Sequence, residues 1–152
     1  MKGYTILIFA QNKRGVIERV SMLLRKKMYN INQFSTSDTK NSEIKKITIK
    51  LYNLDDSKIS QILKQLRKIV EIIRVICINQ KSAIENEMIL IKVNKGTDFF
   101  YKSKMDMIYE ADNTEIYRYI DTPDNIEKLI LKYRQNKKIT DFTTSGTIAI
   151  EK

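Results

Sequence analysis

The chain has 152 residues, enough for one domain of common size or two very small ones, and its 42% hydrophobic and 30% charged content supports a packed core rather than wholesale disorder. It holds no histidine and a single cysteine, Cys77, which excludes imidazole general bases, Ser-His and Cys-His nucleophile pairs, most zinc sites and any internal disulfide. The formal charge of +10 is unevenly placed: residues 1–79 carry 16 basic and 6 acidic side chains, residues 80–152 carry 12 of each.

Residues 4–10 (YTILIFA) read as a buried strand, closed by polar Gln11 and Asn12. After the loop Asn12-Lys13-Arg14-Gly15, apolar residues fall at Val16, Val20, Leu23, Leu24 and Met28, one face of a helix. Asn30 to Thr36 returns to an extended pattern. Ile47, Ile49 and Leu51 alternate in a third strand that starts at Ile44. Asp55 and Asp56 stand where a helix cap is wanted, ahead of Ile59, Ile62, Leu63 and Leu66, and Val70 to Ile78 reads as a fourth strand. The order is β-α-β-β-α-β, the ferredoxin-like unit: a four-stranded antiparallel sheet with both helices on one face. Its other face is expected to stay bare unless a partner covers it.

The second half repeats the theme. Met88–Val93 is a strand, and residues 96–103 have room for a short helix at most. Met105–Glu110 and Glu115–Asp121 form a hairpin around Ala111-Asp112-Asn113. Thr122-Pro123 opens a helix whose core face is Ile126, Leu129, Ile130 and Tyr133, with Thr122 as the cap. Residues 138–150 supply a last strand, with Gly146 marking a bulge or close backbone approach. The fold class is α+β: two ferredoxin-like βαββαβ units in tandem over 1–79 and 87–152, joined by a linker at 80–86. No run approaches the roughly 18 apolar residues of a membrane span, and Met1-Lys2-Gly3-Tyr4 lacks the shape of a secretory signal, so a cytoplasmic protein with no membrane partner is expected.

The loop at Gly15 carries the most information. Backbone N–H groups of Gly15, Val16 and Ile17 at a helix N-terminus favour an anion, and Asn12 lies in the same loop. Asn30 opens the second strand, past the far end of that helix. If two such units pair side by side, one unit's loop meets the other's strand, offering amides to a carboxylate and Asn oxygens to an ammonium group. That chemistry suits an α-amino acid. An ordinary loop and helix cap would use the same residues.

The run Asn12-Lys13-Arg14-Gly15-Val16-Ile17-Glu18-Arg19-Val20, followed by Tyr29-Asn30-Ile31, resembles the opening of the small regulatory subunits of acetolactate synthase (acetohydroxyacid synthase), which begin with an ACT domain. Residues 64–75 resemble the junction of second helix and fourth strand in that family, residues 87–93 the start of its C-terminal domain, and Ser145–Ile150 its closing strand. The resemblance implies a non-catalytic chain, with no catalytic residue and no metal or cofactor of its own. Thiamine diphosphate, Mg and FAD are expected on the catalytic (large) subunit only. It further implies that the chain binds and activates that subunit in isoleucine and valine biosynthesis, pairs as a homodimer through its ACT domains, and mediates feedback inhibition by valine or another branched-chain amino acid. The effector residues carried over are Asn12, Gly15, Val16, Asn30 and Ile31. The sequence departs from the family at Gln11, often acidic, and at Lys46 and Thr144, often arginine.

Two other classes share the element order. An RNA-recognition module would suit the basic first half, but its third strand needs a glycine and paired aromatics, and residues 45–52 read KKITIKLY. Lysine enrichment of the whole composition explains the charge without nucleic acid. A free-standing ACT amino-acid sensor is the other alternative, and it leaves the second half unused. Cys77, in an apolar strand, is expected to be a small buried hydrophobe, and the tyrosines of the second half core or interface residues.

Overall fold

The computed structural model describes residues 3–78 and 82–152. The first unit runs to Ile84 and takes in Ala149–Lys152, and the second comprises Glu85–Ile148.

In the first unit β1 (Gly3–Gln11) is followed by α1 (Val16–Lys26), β2 (Ile31–Asp38), β3 (Ile44–Tyr52), α2 (Asp56–Leu66) and β4 (Ile72–Ile78). The strands order as β2-β3-β1-β4, every neighbour antiparallel. The pleat sends Tyr4, Ile6, Ile8 and Ala10 of β1 to one face, opposite Leu51, Ile49 and Ile47 of β3. Val16, Val20 and Leu24 of α1 and Ile59, Ile62 and Leu66 of α2 close over that face to make the main core. Asp55 caps α2, its side chain accepting from the Lys58 N–H at 2.8 Å, and Asp56 accepts the Tyr4 hydroxyl. The aspartate pair is therefore structural. Cys77 is half-buried against the same core.

The other face of this sheet is not bare. Leu7 is fully buried there, packed with Ile78, Ala83 and Ala149, and Phe9 and Ile76 lean on the cluster. Lys46 Nζ donates to the Ala149 carbonyl at 2.8 Å, Arg74 pairs with Glu151 while stacking on the Phe9 ring at 4.9 Å, and the Lys152 N–H bonds to the Ser82 carbonyl. The last four residues are thus built into the first unit. Residues 83–86, expected to be linker, already belong to β5 (Ala83–Asn94), while 80 and 81 lie outside the described residues.

In the second unit β5 is followed by β6 (Asp106–Ala111), β7 (Thr114–Asp121), α3 (Pro123–Arg134) and β8 (Ile139–Thr144); the chain then closes with β9 (Ile148–Glu151), which belongs to the first unit from Ala149 on. The order is β6-β7-β5-β8, with β9 also pairing β5. Ile126, Leu129 and Tyr133 of α3 cover Ile89, Ile91 and Val93 of β5. The expected single last strand is two, broken at Gly146, whose φ of 74° is open to glycine and costly for side-chain-bearing residues. The first helix of a full βαββαβ unit is reduced to one 3-10 turn, Lys102–Lys104. Glu115 anchors this segment: Oε1 accepts the Gly96 N–H at 3.0 Å, and Oε2 accepts the Tyr117 hydroxyl at 2.7 Å and Lys102 at 3.3 Å. Thr122 occupies the N-cap of α3, but its side chain makes no cap bond. Asp121 braces the entry to the helix instead, accepting from the Thr122 N–H and from the Asn125 side-chain amide.

Candidate functional site

The β1–α1 loop is strapped down on two sides. The Gln11 N–H bonds to the Glu71 carbonyl at 2.8 Å, the Asn12 N–H to the Glu43 carbonyl at 2.7 Å, and Asn12 Nδ2 to the Ser42 carbonyl at 3.1 Å. With its amide nitrogen used this way, Asn12 keeps Oδ1 as an unused acceptor among the described residues. Gly15 then turns the chain into α1 at φ 82°, ψ −6°, the left-handed region where a β-carbon is costly. No side chain caps this helix; the Val16 N–H turns back to the Lys13 carbonyl at 3.5 Å, and the following N–H groups of Ile17 and Glu18 are left to a ligand or to water. Val16 is buried and anchors the turn, while Ile17 stays 46% exposed. Arg19 reaches back over Gly15 to pair with Glu71. Beside the loop lies a cleft of ≈ 560 Å³ lined by Gln11, Asn12, Lys13, Ser42, Glu43 and Ile73 among others.

Asn12, Gly15 and Val16 are therefore together. Asn30 and Ile31 are not with them. Ile31 pairs with Leu51 at one end of β3, whereas Gln11 pairs with Ile44 at the other. Seven residues of strand at about 3.4 Å each put roughly 24 Å between the two ends. One chain cannot close a small-molecule pocket from all five residues. The far end of β2 tells the other half of the geometry: Asp38 pairs with Lys45, next to Ile44, at the loop's own end of the sheet. β2 is moreover an edge strand, with one side unpaired within the unit.

Apart from Asp55, whose carboxyl the Lys58 N–H holds below its usual range at the cap of α2, the perturbed titrating groups lie in the second unit, and each is tied into structure. The Gly96 N–H, the Tyr117 hydroxyl and Lys102 hold the Glu115 carboxyl below its usual range. Tyr119 donates to Asp121 at 2.7 Å and is pushed up to about 12 by that bond and by burial. Tyr133, raised to about 12 by burial, donates to the Phe100 carbonyl at 2.7 Å. Tyr101 and Tyr119 pack edge to face, as Phe99 does with Tyr117 and Tyr133, which makes these rings core. Among the described residues no helix is long and apolar enough to cross a membrane.

A βαββαβ sheet with an uncapped glycine turn at the start of its first helix has the form of an ACT domain, and residues 6–74 match the family model described as the acetohydroxyacid synthase small subunit-like ACT domain. The similarity extends over the rest of the chain. The acetolactate synthase small subunit of Buchnera aphidicola subsp. Baizongia pistaciae is 29% identical over 160 residues, covering 100% of this chain and 99% of that protein. The small subunit from Mycolicibacterium smegmatis is 24% identical over 98% of this chain and 91% of its own length. Over its whole length the chain is similar to the acetolactate synthase small subunits, and its first unit matches their ACT domain. The crystal structure of the small subunit from Thermotoga maritima, 23% identical, has the same fold, with a TM-score of 0.82 over 100% of this chain and 98% of that one.

Proposed function

We propose that this chain is the non-catalytic regulatory subunit of acetolactate synthase, and that it binds the thiamine-diphosphate-dependent catalytic subunit, raises its activity and confers inhibition by valine or another branched-chain amino acid. Similarity to acetolactate synthase small subunits along the whole chain supports the pairing with a catalytic subunit, which would hold thiamine diphosphate, Mg and FAD. The effector role rests on one observation: the loop at Gly15 and the Asn30 end of β2 lie at opposite ends of the same sheet. Antiparallel pairing of β2 with β2 of a second copy about a twofold axis lays Ile31 of one chain beside Asp38 of the other. Asn30 and Ile31 of one copy then reach the loop end of the partner sheet, and two equivalent sites form. In each, the helix N-terminus takes the ligand carboxylate, Asn12 Oδ1 and the Asn30 amide oxygen take the ammonium, and Ile31 faces the branched side chain while buried Val16 holds the turn in place.

Inhibition follows if the effector binds better to a dimer arrangement that the active complex does not use, a coupling of about 1–3 kcal/mol. Two observations weigh against the rivals. The RNA-recognition reading needs the helix-free face open, and Leu7 and Thr48 at its centre are buried. The free-standing sensor reading leaves Glu85–Ile148 without a role. The test is acetolactate formation by the cognate catalytic subunit titrated with this protein, with and without valine. Stimulation that valine reverses is expected. Stimulation that no branched-chain amino acid touches would remove the effector site, and no stimulation would refute the regulatory reading.

A further inference from the structure

The basic excess of the first half has a location that the effector site does not use. A groove of ≈ 390 Å³ opens between α1 and α2, lined by apolar Leu23, Tyr29 and Ile62 and by Lys27, Lys64, Arg67 and Lys68, with no carboxylate in its wall. Helix dipoles explain part of this, since Lys64 sits in the last turn of α2. Lys27 and Arg67, the C-cap residues of α1 and α2, gain from the same dipoles, but the dipoles do not account for four cations lining one groove that holds no carboxylate. Arg67 donates to the Val75 carbonyl at 3.2 Å. Lys27, Lys64 and Lys68 have no carboxylate partner among the described residues. Close in sequence to this rim stand two apolar side chains that are each 91% exposed, Met28 and Val70. Met28 follows Lys27 directly and is held at a φ of 55° that non-glycine residues seldom adopt.

From this combination we infer that the groove is the docking site for an acidic, amphipathic segment of the catalytic subunit. The inference rests on the regulatory reading above and names the surface that reading uses. An apolar side chain of the segment fills the floor between Leu23, Tyr29 and Ile62, and its carboxylates meet Lys27, Lys64 and Lys68. Charge selects the partner. A second copy of this chain is a poor occupant, because its own first half carries ten excess positive charges. A polyphosphate or nucleic acid would match the rim and leave the apolar floor and Met28 uncovered. Long-range attraction from such a rim acts mainly on the association rate and fades with salt.

The triple variant Lys27→Gln/Lys64→Gln/Lys68→Gln removes the three lysine charges of the rim with residues of similar helix propensity and leaves Arg67 on the Val75 carbonyl. Its affinity for the catalytic subunit is compared with wild type at about 50 and about 500 mM KCl, conditions that change the screening length several-fold. The expected result is at least tenfold weaker binding at low salt and a gap that closes at high salt. Melting and valine binding of the variant alone stay at wild-type values. The control Lys128→Gln/Lys137→Gln/Lys138→Gln makes the same charge change on the second unit and leaves affinity intact. Unchanged affinity in the groove variant, or an equal loss in the control, overturns the inference. A photo-crosslinker at Gln65 should label an acidic stretch of the catalytic subunit, and labelling of a second copy instead overturns it as well. Wild-type protein that fails to bind the catalytic subunit would defeat the regulatory reading itself, whereas normal wild-type binding with an indifferent variant defeats only the groove.

Discussion

Substitution of Gly15 separates the stability of the effector loop from its chemistry. At φ 82°, ψ −6° an alanine costs about 1–2 kcal/mol in backbone conformation. The less flexible unfolded chain returns about 0.4–1 kcal/mol of that. A β-carbon would lie 3.0 Å from Arg19 Nη1, the far end of a flexible side chain that can move aside. Disturbing the partly exposed Arg19–Glu71 pair adds a few tenths of a kcal/mol at most. Gly15→Ala should therefore lose about 1 kcal/mol in urea denaturation and keep valine binding within about tenfold. Gly15→Asp has the same backbone strain, eased because Asp tolerates this region better. Its carboxylate would stand about 4 Å from that of a bound amino acid, which at an effective dielectric near 20 is a repulsion of about 4 kcal/mol, roughly a thousandfold in affinity. Calorimetric titration with valine reads this directly. Wild-type valine affinity in Gly15→Asp would refute the assignment of the loop, and unchanged stability in Gly15→Ala would refute the argument from backbone strain.

Asn30 is exposed, so Asn30→Ala should leave the melting temperature unchanged while weakening valine binding about tenfold, the loss of one charge-assisted hydrogen bond; an unaltered inhibition curve would count against its role. Leu7→Ala should cost about 3 kcal/mol in denaturant melts, although Leu7 faces away from both helices, and a cost under about 1 kcal/mol would mean its cover is loose. Glu115 has a folded pKa below its unfolded value, so its contribution to stability is present above the unfolded pKa and is lost as pH falls through the folded one. Glu115→Gln should flatten the acid side of the stability profile, and an acid limb as steep as wild type would show that the carboxylate is not the group responsible. Tyr119 and Tyr133 should be the last phenols to ionise in an ultraviolet titration, near pH 12, with stability falling as pH climbs from the unfolded value near 10 toward that point; removal of one late phenol in Tyr119→Phe checks the assignment.

Periodicity made the first unit readable because local spacing and tertiary packing agree there. The alternation of Ile47, Ile49 and Leu51 and the helical spacing of Val16, Val20 and Leu24 are the residues that meet in the core. Where the sequence misled, a distant partner decided. Residues 83–86 look like polar linker, yet they belong to β5 and Ala83 is 3% exposed there, a burial that no local pattern advertises. The shortness of any helix after β5 was legible, and the one 3-10 turn found there is held by Glu115, more than ten residues further on. Thr122 had the right residue type for a cap, yet its side chain makes no cap bond, and its neighbour Asp121 binds the Thr122 N–H instead. Of the candidate site, the left-handed turn was legible from Gly15 itself. That Asn12 spends its amide nitrogen on Ser42 was not, since the bond spans 30 residues.

The return of the last strand to the first unit changes what kind of duplication this is. The halves are not beads in series: the chain leaves the first unit at Ile84, completes the second, and comes back at Ala149. The second unit is in topology an insertion. A growing polypeptide can form the helix-packed face of its first sheet early, but the Ala149 cover over Leu7 and the Lys46 and Arg74 clasps must wait until everything between has been synthesised. The first unit is consequently among the last parts to be finished. A chain interrupted or misfolded anywhere in the second unit would leave the effector-bearing sheet with an apolar face open to solvent, so damage far from the proposed valine site would surface as aggregation of the domain that carries it.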